Sequence, residues 1–121
     1  MHYVGVDIIE IGRIQKAVEQ WGERFLQRVY TGPEMSLCHK KPSALAVRFA
    51  GKEAVMKTLG TGTKGISWKE IEVLAEPSGK PLVQLYGEAK TKALDLGLES
   101  LAISLSHSRE YAVAFVVSET K

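Results

Sequence analysis

The stretch Arg48-Phe-Ala-Gly-Lys-Glu-Ala-Val-Met-Lys57 lies within a predicted helix that begins at a Ser43 cap and ends at about Leu59. Apolar residues occupy almost all sides of this helix, so we expect it to be central in the fold and largely buried. Glu53 and Lys57 interrupt one apolar face and stack one turn apart. A buried charge is costly unless it is paired or binds a metal. The two side chains therefore form either a buried ion pair or part of a functional site.

Residues 3–9 alternate in the way that is typical of a half-buried strand. We expect Val4, Val6 and Ile8 to face the core, because they form the continuous apolar set. Asp7 then lies on the opposite face, near the C-terminal end of the strand.

The rest of the chain alternates helical and extended patterns, with turn signals between them. In chain order we predict a helix over Ile11–Phe25, a short helix capped by Thr31-Gly-Pro33-Glu34, strands Ile66–Ala75 and Leu82–Tyr86 joined by a turn at Pro77–Pro81, a helix over Gly87–Gly97, and strands Leu101–Leu105 and Tyr111–Val117 joined through Ser106–Glu110. This order predicts an α+β fold, with a mainly antiparallel sheet packed against helices. The length of 121 residues predicts a single domain over residues 1–121.

The composition excludes several classes of protein. A net charge of +2 argues against a large nucleic-acid-binding surface, which would be strongly basic, but allows a local basic patch for an acidic protein partner. No apolar run approaches the roughly 20 residues that a membrane span needs, and the N-terminus lacks a signal-peptide pattern. The single cysteine, Cys38, excludes an intramolecular disulfide. We therefore expect a cytoplasmic protein.

Asp7 and Glu53 are the first candidate functional pair. Two carboxylates that meet in a cleft suit a hard cation such as Mg²⁺, which takes oxygen ligands and usually keeps several waters for phosphates. The alternative for Asp7 is a solvated strand end or a cap for the following helix. Spacing alone does not decide between the two interpretations.

Positive charges around Glu53 form a second candidate group. Arg48, Lys52, Lys57 and Lys64 are many cations for one buried helix, and phosphate oxygens are their natural ligands. The alternative is that these long side chains extend to solvent. The glycine-rich loop Gly60–Gly65 also offers amides that can bind phosphate. However, it follows a helix C-terminus, where the dipole repels anions, so a simple C-cap is the competing interpretation.

His107 is the remaining candidate. It shares strand parity with Leu101, Ile103 and Leu105, so it is either a core histidine or a strand-end histidine that faces a ligand. Neighbouring strand residues point to opposite faces, so Ser106 and His107 are poorly placed as a nucleophilic pair.

Four motifs follow one another in a characteristic order. They are Gly5-Val-Asp-Ile-Ile-Glu-Ile-Gly-Arg-Ile14, Arg48-Phe-Ala-Gly-Lys-Glu-Ala-Val-Met-Lys-Thr-Leu-Gly-Thr-Gly62, Gly79-Lys-Pro81 and Ser104-Leu-Ser-His107. Together they resemble bacterial holo-(acyl carrier protein) synthases, the short type of the 4′-phosphopantetheinyl transferase family. The resemblance covers almost the whole chain, and the combination is more specific than any single motif. It implies the fold of that family.

The resemblance also implies a reaction. Enzymes of this family move the phosphopantetheine arm of coenzyme A onto a serine of apo-acyl carrier protein and release adenosine 3′,5′-bisphosphate, a step that serves fatty acid biosynthesis. By similarity, Asp7 and Glu53 bind Mg²⁺ together with the pyrophosphate of coenzyme A. Glu53 takes the proton of the acceptor serine or orients the group that does. Lys57 neutralises the bridging phosphate and assists the leaving group.

Further residues acquire roles from the same resemblance. The side chain of Arg13 is presented to the acidic carrier protein. The residues assigned to coenzyme A, besides Lys57, are Arg48, Gly60, Thr61, Gly62, Gly79, Lys80, Pro81 and His107. Members of the family assemble as homotrimers with each site between two subunits, so His107 and the turn at 79–81 are expected to act in trans to Asp7.

Two positions depart from the usual pattern of the family. Gly51 and Thr58 stand where alanine is frequent. Glycine in a helix interior costs roughly 0.5–1 kcal/mol relative to alanine. We expect Gly51 to allow the close approach of another element.

Other functions stay open at this point. The same chemistry can serve another carrier, such as a polyketide synthase domain. A non-catalytic module would bind coenzyme A or a carrier without releasing adenosine 3′,5′-bisphosphate. A structural oligomer would use Glu53 and Lys57 only as an ion pair, and it would show no Mg²⁺-dependent binding of coenzyme A.

Overall fold

The structure, a computed structural model, describes residues 1–60 and 65–120. The elements in chain order are β1 (His2–Glu10), α1 (Ile11–Trp21), α2 (Glu23–Val29), α3 (Gly32–Cys38), α4 (Pro42–Leu59), a 3-10 turn (Trp68–Glu70), β2 (Ile71–Ala75), β3 (Pro81–Leu85), α5 (Gly87–Asp95), β4 (Leu98–His107) and β5 (Tyr111–Thr120). The predicted α+β class is confirmed. No helix in the described ranges combines the length and hydropathy that crossing a membrane requires.

All of the strand pairs in the described residues are antiparallel. One sheet has three strands in the order β1-β5-β4, and the second contains β2 and β3. Both predicted strand pairs are therefore confirmed, but the strand predicted to begin at Ile66 begins at Ile71, because Trp68–Glu70 form the 3-10 turn. In the larger sheet, Asp7 lies opposite Ala114, while His107 lies opposite Ala112.

Helix α4 occupies the centre of the fold, as predicted. It packs on β1, β5 and β4 and also contacts β2, and Ala46, Ala50 and Ala54 are completely buried along it. The predicted Ser43 cap is wrong, because the helix begins one residue earlier at Pro42 and its N-cap, Lys41, makes no side-chain cap bond. Proline is favoured at the first helical position, where no N–H donor is needed.

The prediction for the faces of β1 is wrong. Val4, Val6 and Ile8 are 52%, 51% and 64% exposed, and the inner face instead carries Gly5 and Asp7. A Cβ atom on Gly5 would lie 2.0 Å from the carbonyl oxygen of Ala54 and 2.3 Å from the Oγ1 atom of Thr58. Only glycine allows β1 to approach α4 this closely. That approach puts Asp7 against the helix rather than in solvent.

Close packing also explains Gly51. A Cβ atom there would lie 3.2 Å from Ile103 Cδ1 and 3.4 Å from Val73 Cγ2, so side chains of both sheets press against the helix at this point. The expected close approach of another element is confirmed.

The helical pattern predicted over residues 11–25 forms two helices. Gly22, with a φ of 55°, separates α1 from α2. Further along, the predicted capping box at Thr31 is confirmed, since its Oγ1 accepts from the Glu34 amide and the Glu34 carboxylate accepts from the Thr31 amide.

Candidate active site

A cavity of about 300 Å³ opens where β1, α1 and α4 meet. Its polar lining consists of Asp7, Arg13 and Glu53, and two aromatic rings, Phe25 and Phe49, form an apolar wall. Strand β1 supplies Asp7 from its inner face, and the middle of α4 supplies Glu53. The two acids predicted from sequence are therefore brought to one cavity.

Lys57 pairs with Asp7 rather than with Glu53. Its Nζ atom donates to Asp7 Oδ1 at 3.0 Å and to the Val6 carbonyl oxygen at 3.0 Å. The Asp7 side chain is 12% exposed and the Lys57 side chain is 51% exposed. The interpretation of Glu53 and Lys57 as a buried ion pair is therefore wrong, because the lysine extends along the surface to the neighbouring strand.

Glu53 is half-buried, and the pKa of its carboxyl is raised. Burial raises the pKa of its carboxyl, and the negative charge of Asp7 raises it further, while Lys57 and Arg13 oppose the shift. Repulsion between two carboxylates is relieved when a cation binds between them. The raised pKa also makes Glu53 a better proton acceptor near neutral pH than an ordinary glutamate.

This electrostatic coupling gives a testable pH dependence. The Asp7→Asn variant removes a negative charge next to Glu53, so we expect the pKa of Glu53 to fall without returning to its ordinary value, because burial remains. Carbon-13 NMR titration of the Glu53 carboxyl in both proteins measures this directly. An unchanged titration midpoint would mean that the two acids do not interact.

The two carboxylates of the cavity fit only one kind of Mg²⁺ site. In residues 1–60 and 65–120 no cluster of three or more histidine, cysteine or acidic side chains could hold a metal. Asp7 and Glu53 provide two carboxylates, and Mg²⁺ is usually bound by one or two carboxylates together with substrate phosphates. The residues therefore suit an ion that is shared with a phosphate-bearing substrate, rather than a closed structural site.

The residues assigned to coenzyme A lie at several places. The turn at 79–80 is exposed, with a φ of 92° at Gly79, and Gly60 ends α4 with a φ of 77°. His107 is also exposed, so its interpretation as a core histidine is wrong. It shares the inner sheet face with Asp7 but lies two strands away, about 10 Å across the sheet. None of these residues lines the cavity of Asp7 and Glu53, and Thr61, Gly62 and Lys64 lie outside the described residues.

Arg48 faces away from that cavity. Its Nε atom donates to the carbonyl oxygen of Val73 on β2 at 3.1 Å, and a terminal nitrogen lies 3.5 Å from the Ala44 carbonyl oxygen. These contacts tie α4 to the smaller sheet. The role of Arg48 in binding coenzyme A stays a prediction.

Comparison with known proteins decides the family. A profile described as the 4′-phosphopantetheinyl transferase superfamily matches residues 3–116. The chain belongs to this superfamily. The family resemblance predicted from the four motifs is therefore confirmed.

Individual members of the 4′-phosphopantetheinyl transferase superfamily match along nearly their whole length. A holo-[acyl-carrier-protein] synthase of Dehalococcoides mccartyi (strain ATCC BAA-2266 / KCTC 15142 / 195) is 52% identical, covering 98% of this chain and 99% of that protein. One from Herpetosiphon aurantiacus is 48% identical, covering 97% and 98%. The crystal structure of Helicobacter pylori holo-[acyl-carrier-protein] synthase in complex with coenzyme A matches with a TM-score of 0.88 and 37% identity, covering 96% of this chain and 99% of that chain.

This phosphopantetheinyl transferase superfamily member contains a buried ion pair, between Lys52 and Glu34, that the sequence analysis did not predict. Lys52, next to Glu53 on α4, is completely buried, and its Nζ atom lies 2.8 Å from Glu34 Oε1. It also donates to the carbonyl oxygens of Trp68, at 3.0 Å, and Ile71. Burial lowers the pKa of Lys52, and the Glu34 carboxylate opposes that shift. The expectation of phosphate or solvent around this lysine is wrong.

Glu34 has two functions in the fold. One carboxylate oxygen accepts from the Thr31 amide and from Lys52, and the other accepts from the Val73 amide at 2.7 Å. Sequence reasoning identified only the capping function. The pairing with Lys52 joins residues 18 positions apart and has no local signal.

A second cavity, of about 490 Å³, adjoins the first. Trp21, Arg24, Phe25 and Arg28 line it, and Phe25 is shared with the cavity of Asp7 and Glu53. The helical pattern predicted Trp21 on the buried face, but it is 52% exposed. The surface beside the acidic pair therefore combines aromatic rings with guanidinium groups.

Proposed function

We propose that this chain transfers the 4′-phosphopantetheine arm of coenzyme A to a serine of apo-acyl carrier protein and releases adenosine 3′,5′-bisphosphate. The observation that carries the proposal is the meeting of Asp7 and Glu53 at one cavity, with Lys57 paired to Asp7, in a chain that resembles holo-[acyl-carrier-protein] synthases from end to end. Phosphoryl transfer depends mainly on positioning and on charge stabilisation. Two carboxylates and a nearby ammonium supply both.

The acidic pair would hold Mg²⁺ together with the pyrophosphate of coenzyme A. When bound, the ion supplies positive charge that neutralises the phosphate oxygens during transfer. Glu53 accepts the proton of the serine hydroxyl, for which its raised pKa is suited. The serine oxygen then bonds to the phosphorus that carries pantetheine, and the bond from that phosphorus to the bridging oxygen breaks.

Lys57 acts on the phosphates. Half of its side chain is exposed, so its ammonium can reach a substrate at the mouth of the cavity. There it stabilises the negative charge on the departing adenosine 3′,5′-bisphosphate. The glycine-rich loop, the turn at 79–81, Arg48 and His107 complete the coenzyme A site in this proposal.

The carrier protein docks beside the acidic pair. Arg13 on α1 and Arg24 and Arg28 on α2 are exposed, and they flank the two adjoining cavities. Carboxylates are natural partners of guanidinium groups, which bind them in a bidentate manner. Exposed Trp21 adds apolar contact area, as is common at protein interfaces. An acidic carrier protein fits this surface.

The outer face of the larger sheet supports self-association, which in this proposal gives a homotrimer with sites between subunits. Val4, Val6, Ile8 and Phe115 are each at least 45% exposed there, and Val6 pairs with Phe115 across β1 and β5. Exposed apolar patches of this kind mark interaction surfaces. An interface on this sheet would let His107 and the turn at 79–81 serve a neighbouring subunit.

Val6→Lys is expected to dissociate the oligomer, because it puts a charge into the apolar interface. Size-exclusion chromatography with light scattering gives the mass of each variant at matched concentrations. Leu94→Lys is the control, since Leu94 is 66% exposed on α5, away from this sheet face. An oligomer that survives Val6→Lys, or that Leu94→Lys disrupts equally, argues against this interface.

The transfer itself is tested by mass spectrometry. Apo-acyl carrier protein incubated with this chain, coenzyme A and Mg²⁺ is expected to gain the mass of phosphopantetheine, and chelation of the metal is expected to prevent the gain. Binding of coenzyme A without any mass gain would identify a non-catalytic module instead. Rates on several apo carriers distinguish a fatty acid synthase carrier from a polyketide synthase domain.

The single domain and the cytoplasmic location stay predictions.

A further inference from the structure

Lys57 joins the last turn of α4 to β1 at the edge of the proposed active site. Its ammonium has two acceptors on that strand, Asp7 Oδ1 and the Val6 carbonyl oxygen, both at 3.0 Å. The lysine side chain is 51% exposed. The ammonium can therefore leave β1 without exposing a buried side chain.

The two carboxylates of the cavity differ in how their charge is balanced. Asp7 has the Lys57 ammonium in direct contact. Glu53 makes no ion pair in residues 1–60 and 65–120, although Lys57 lies one turn away on the same helix, and its charge is balanced only at a distance by Lys57 and Arg13. A divalent cation that binds both acids therefore meets a competing cation at Asp7 only.

We propose that the ion pair between Lys57 and Asp7 is a latch: the divalent cation displaces the Lys57 ammonium from Asp7, and the lysine is released toward the substrate phosphates. This inference rests on the proposed function, in which Asp7 binds the cation and Lys57 binds phosphate. An ammonium in contact with a carboxylate oxygen repels a dication at the same carboxylate, and in a partly buried site the repulsion is stronger than in water.

A different role for Lys57 predicts the opposite effect of its removal on cation affinity. Residues that hydrogen-bond a metal-binding carboxylate often orient it and strengthen the site. In that case Lys57 would stay on Oδ1 and leave Oδ2 for the ion. Removal of an orienting lysine weakens cation binding, whereas removal of a competing lysine strengthens it.

Binding of Mn²⁺ alone, measured by electron paramagnetic resonance in the absence of coenzyme A, separates the two roles. Lys57→Gln is expected to bind Mn²⁺ about tenfold more tightly than the unmodified chain, because one competing charge is removed from direct contact with Asp7. Unchanged, weaker or undetectable binding in Lys57→Gln would overturn the latch. Circular dichroism confirms that each variant is folded.

Two further variants control for general repulsion. Arg13→Gln removes a positive charge from the same cavity, but Arg13 makes no ion pair with Asp7 in the described residues. We expect it to strengthen Mn²⁺ binding much less than Lys57→Gln does, and an equal gain would overturn the latch. In the Asp7→Asn background the gain from Lys57→Gln is expected to disappear. A gain that persists there would show that direct competition at Asp7 is not the cause.

The latch and the proposed function fail separately. The mass gain of the carrier protein tests transfer with the unmodified chain, and the Mn²⁺ measurements use neither carrier nor coenzyme A. If the unmodified chain transfers phosphopantetheine but Lys57→Gln does not bind Mn²⁺ more tightly, the latch is wrong and the proposed function stands. If Lys57→Gln binds Mn²⁺ more tightly but the unmodified chain shows no transfer, the proposed function is wrong and the competition at Asp7 stands.

Discussion

Glu53→Gln is expected to lower kcat for phosphopantetheine transfer by about 100-fold to 10,000-fold, the usual contribution of a general base. The amide cannot accept the serine proton, and it is a weaker ligand for Mg²⁺ than a carboxylate. Because the pKa of Glu53 is raised in the folded chain, its charge is unfavourable to folding at neutral pH. We therefore expect Glu53→Gln to be at least as stable as the unmodified chain at pH 7. Steady-state kinetics and urea unfolding measure the two effects.

The pH dependence gives that stability prediction a definite sign. A carboxyl whose pKa is raised by folding binds more protons in the folded state, so the gain from Glu53→Gln is present above the folded pKa and vanishes below the unfolded pKa. Glu19→Gln, at an exposed position on α1, is the matched control and should change neither activity nor stability. Full Mg²⁺-dependent activity in folded Glu53→Gln would contradict the proposed mechanism.

Lys52→Met is expected to destabilise the fold by about 3–5 kcal/mol, the usual effect of removing one partner of a buried ion pair. The substitution leaves the buried Glu34 carboxylate without its counter-charge and removes the donor to the Trp68 and Ile71 carbonyl oxygens. Urea unfolding at pH 7 measures the free energy difference. Lys57→Met, on the same helix but half exposed, should cost no more than about 1 kcal/mol.

A double-mutant cycle identifies the cause of that loss. If the buried charge of Glu34 is responsible, Lys52→Met combined with Glu34→Gln should be less destabilising than the sum of the single variants. Additive effects would show that lost packing, rather than the unpaired charge, dominates. The cycle also tests whether the pair holds α3 and α4 together, since Glu34 belongs to the first helix and Lys52 to the second.

Local patterns predicted the elements well and the orientation of β1 badly. The apolar surface of residues 43–59 is continuous enough to predict a central helix, and the capping box at Thr31 is a local hydrogen-bonding motif. Alternation along β1 allows either face to be buried, and the apolar set of Val4, Val6 and Ile8 suggested the wrong one. The decisive constraint is steric, because α4 accepts only the hydrogen of Gly5 at its surface. Such a constraint depends on a partner about 50 residues away.

In the candidate site, too, local patterns identified individual residues but not the contacts between distant parts of the chain. Helical spacing identified Glu53 and Lys57 as unusual, strand alternation offered Asp7 as a candidate second acid, and the ordered motifs assigned both acids to Mg²⁺. Neither kind of reasoning predicted that Lys57 pairs with Asp7 across elements. The pair of Lys52 and Glu34 was missed because both residues had a sufficient local interpretation, the first as a cation that reaches solvent or phosphate and the second as a cap.

The contact between Gly5 and α4 limits how this site can be altered by protein engineering. Main-chain and side-chain oxygens of the helix lie where any Cβ atom on residue 5 would be placed. Because glycine is already the smallest residue, substitution there can only push the strand outward and carry Asp7 away from Glu53 and Lys57. No substitution at residue 5 can therefore bring Asp7 closer to Glu53 and Lys57. Redesign of the proposed cation site for a smaller or larger ion would have to change the length of the acidic side chains instead.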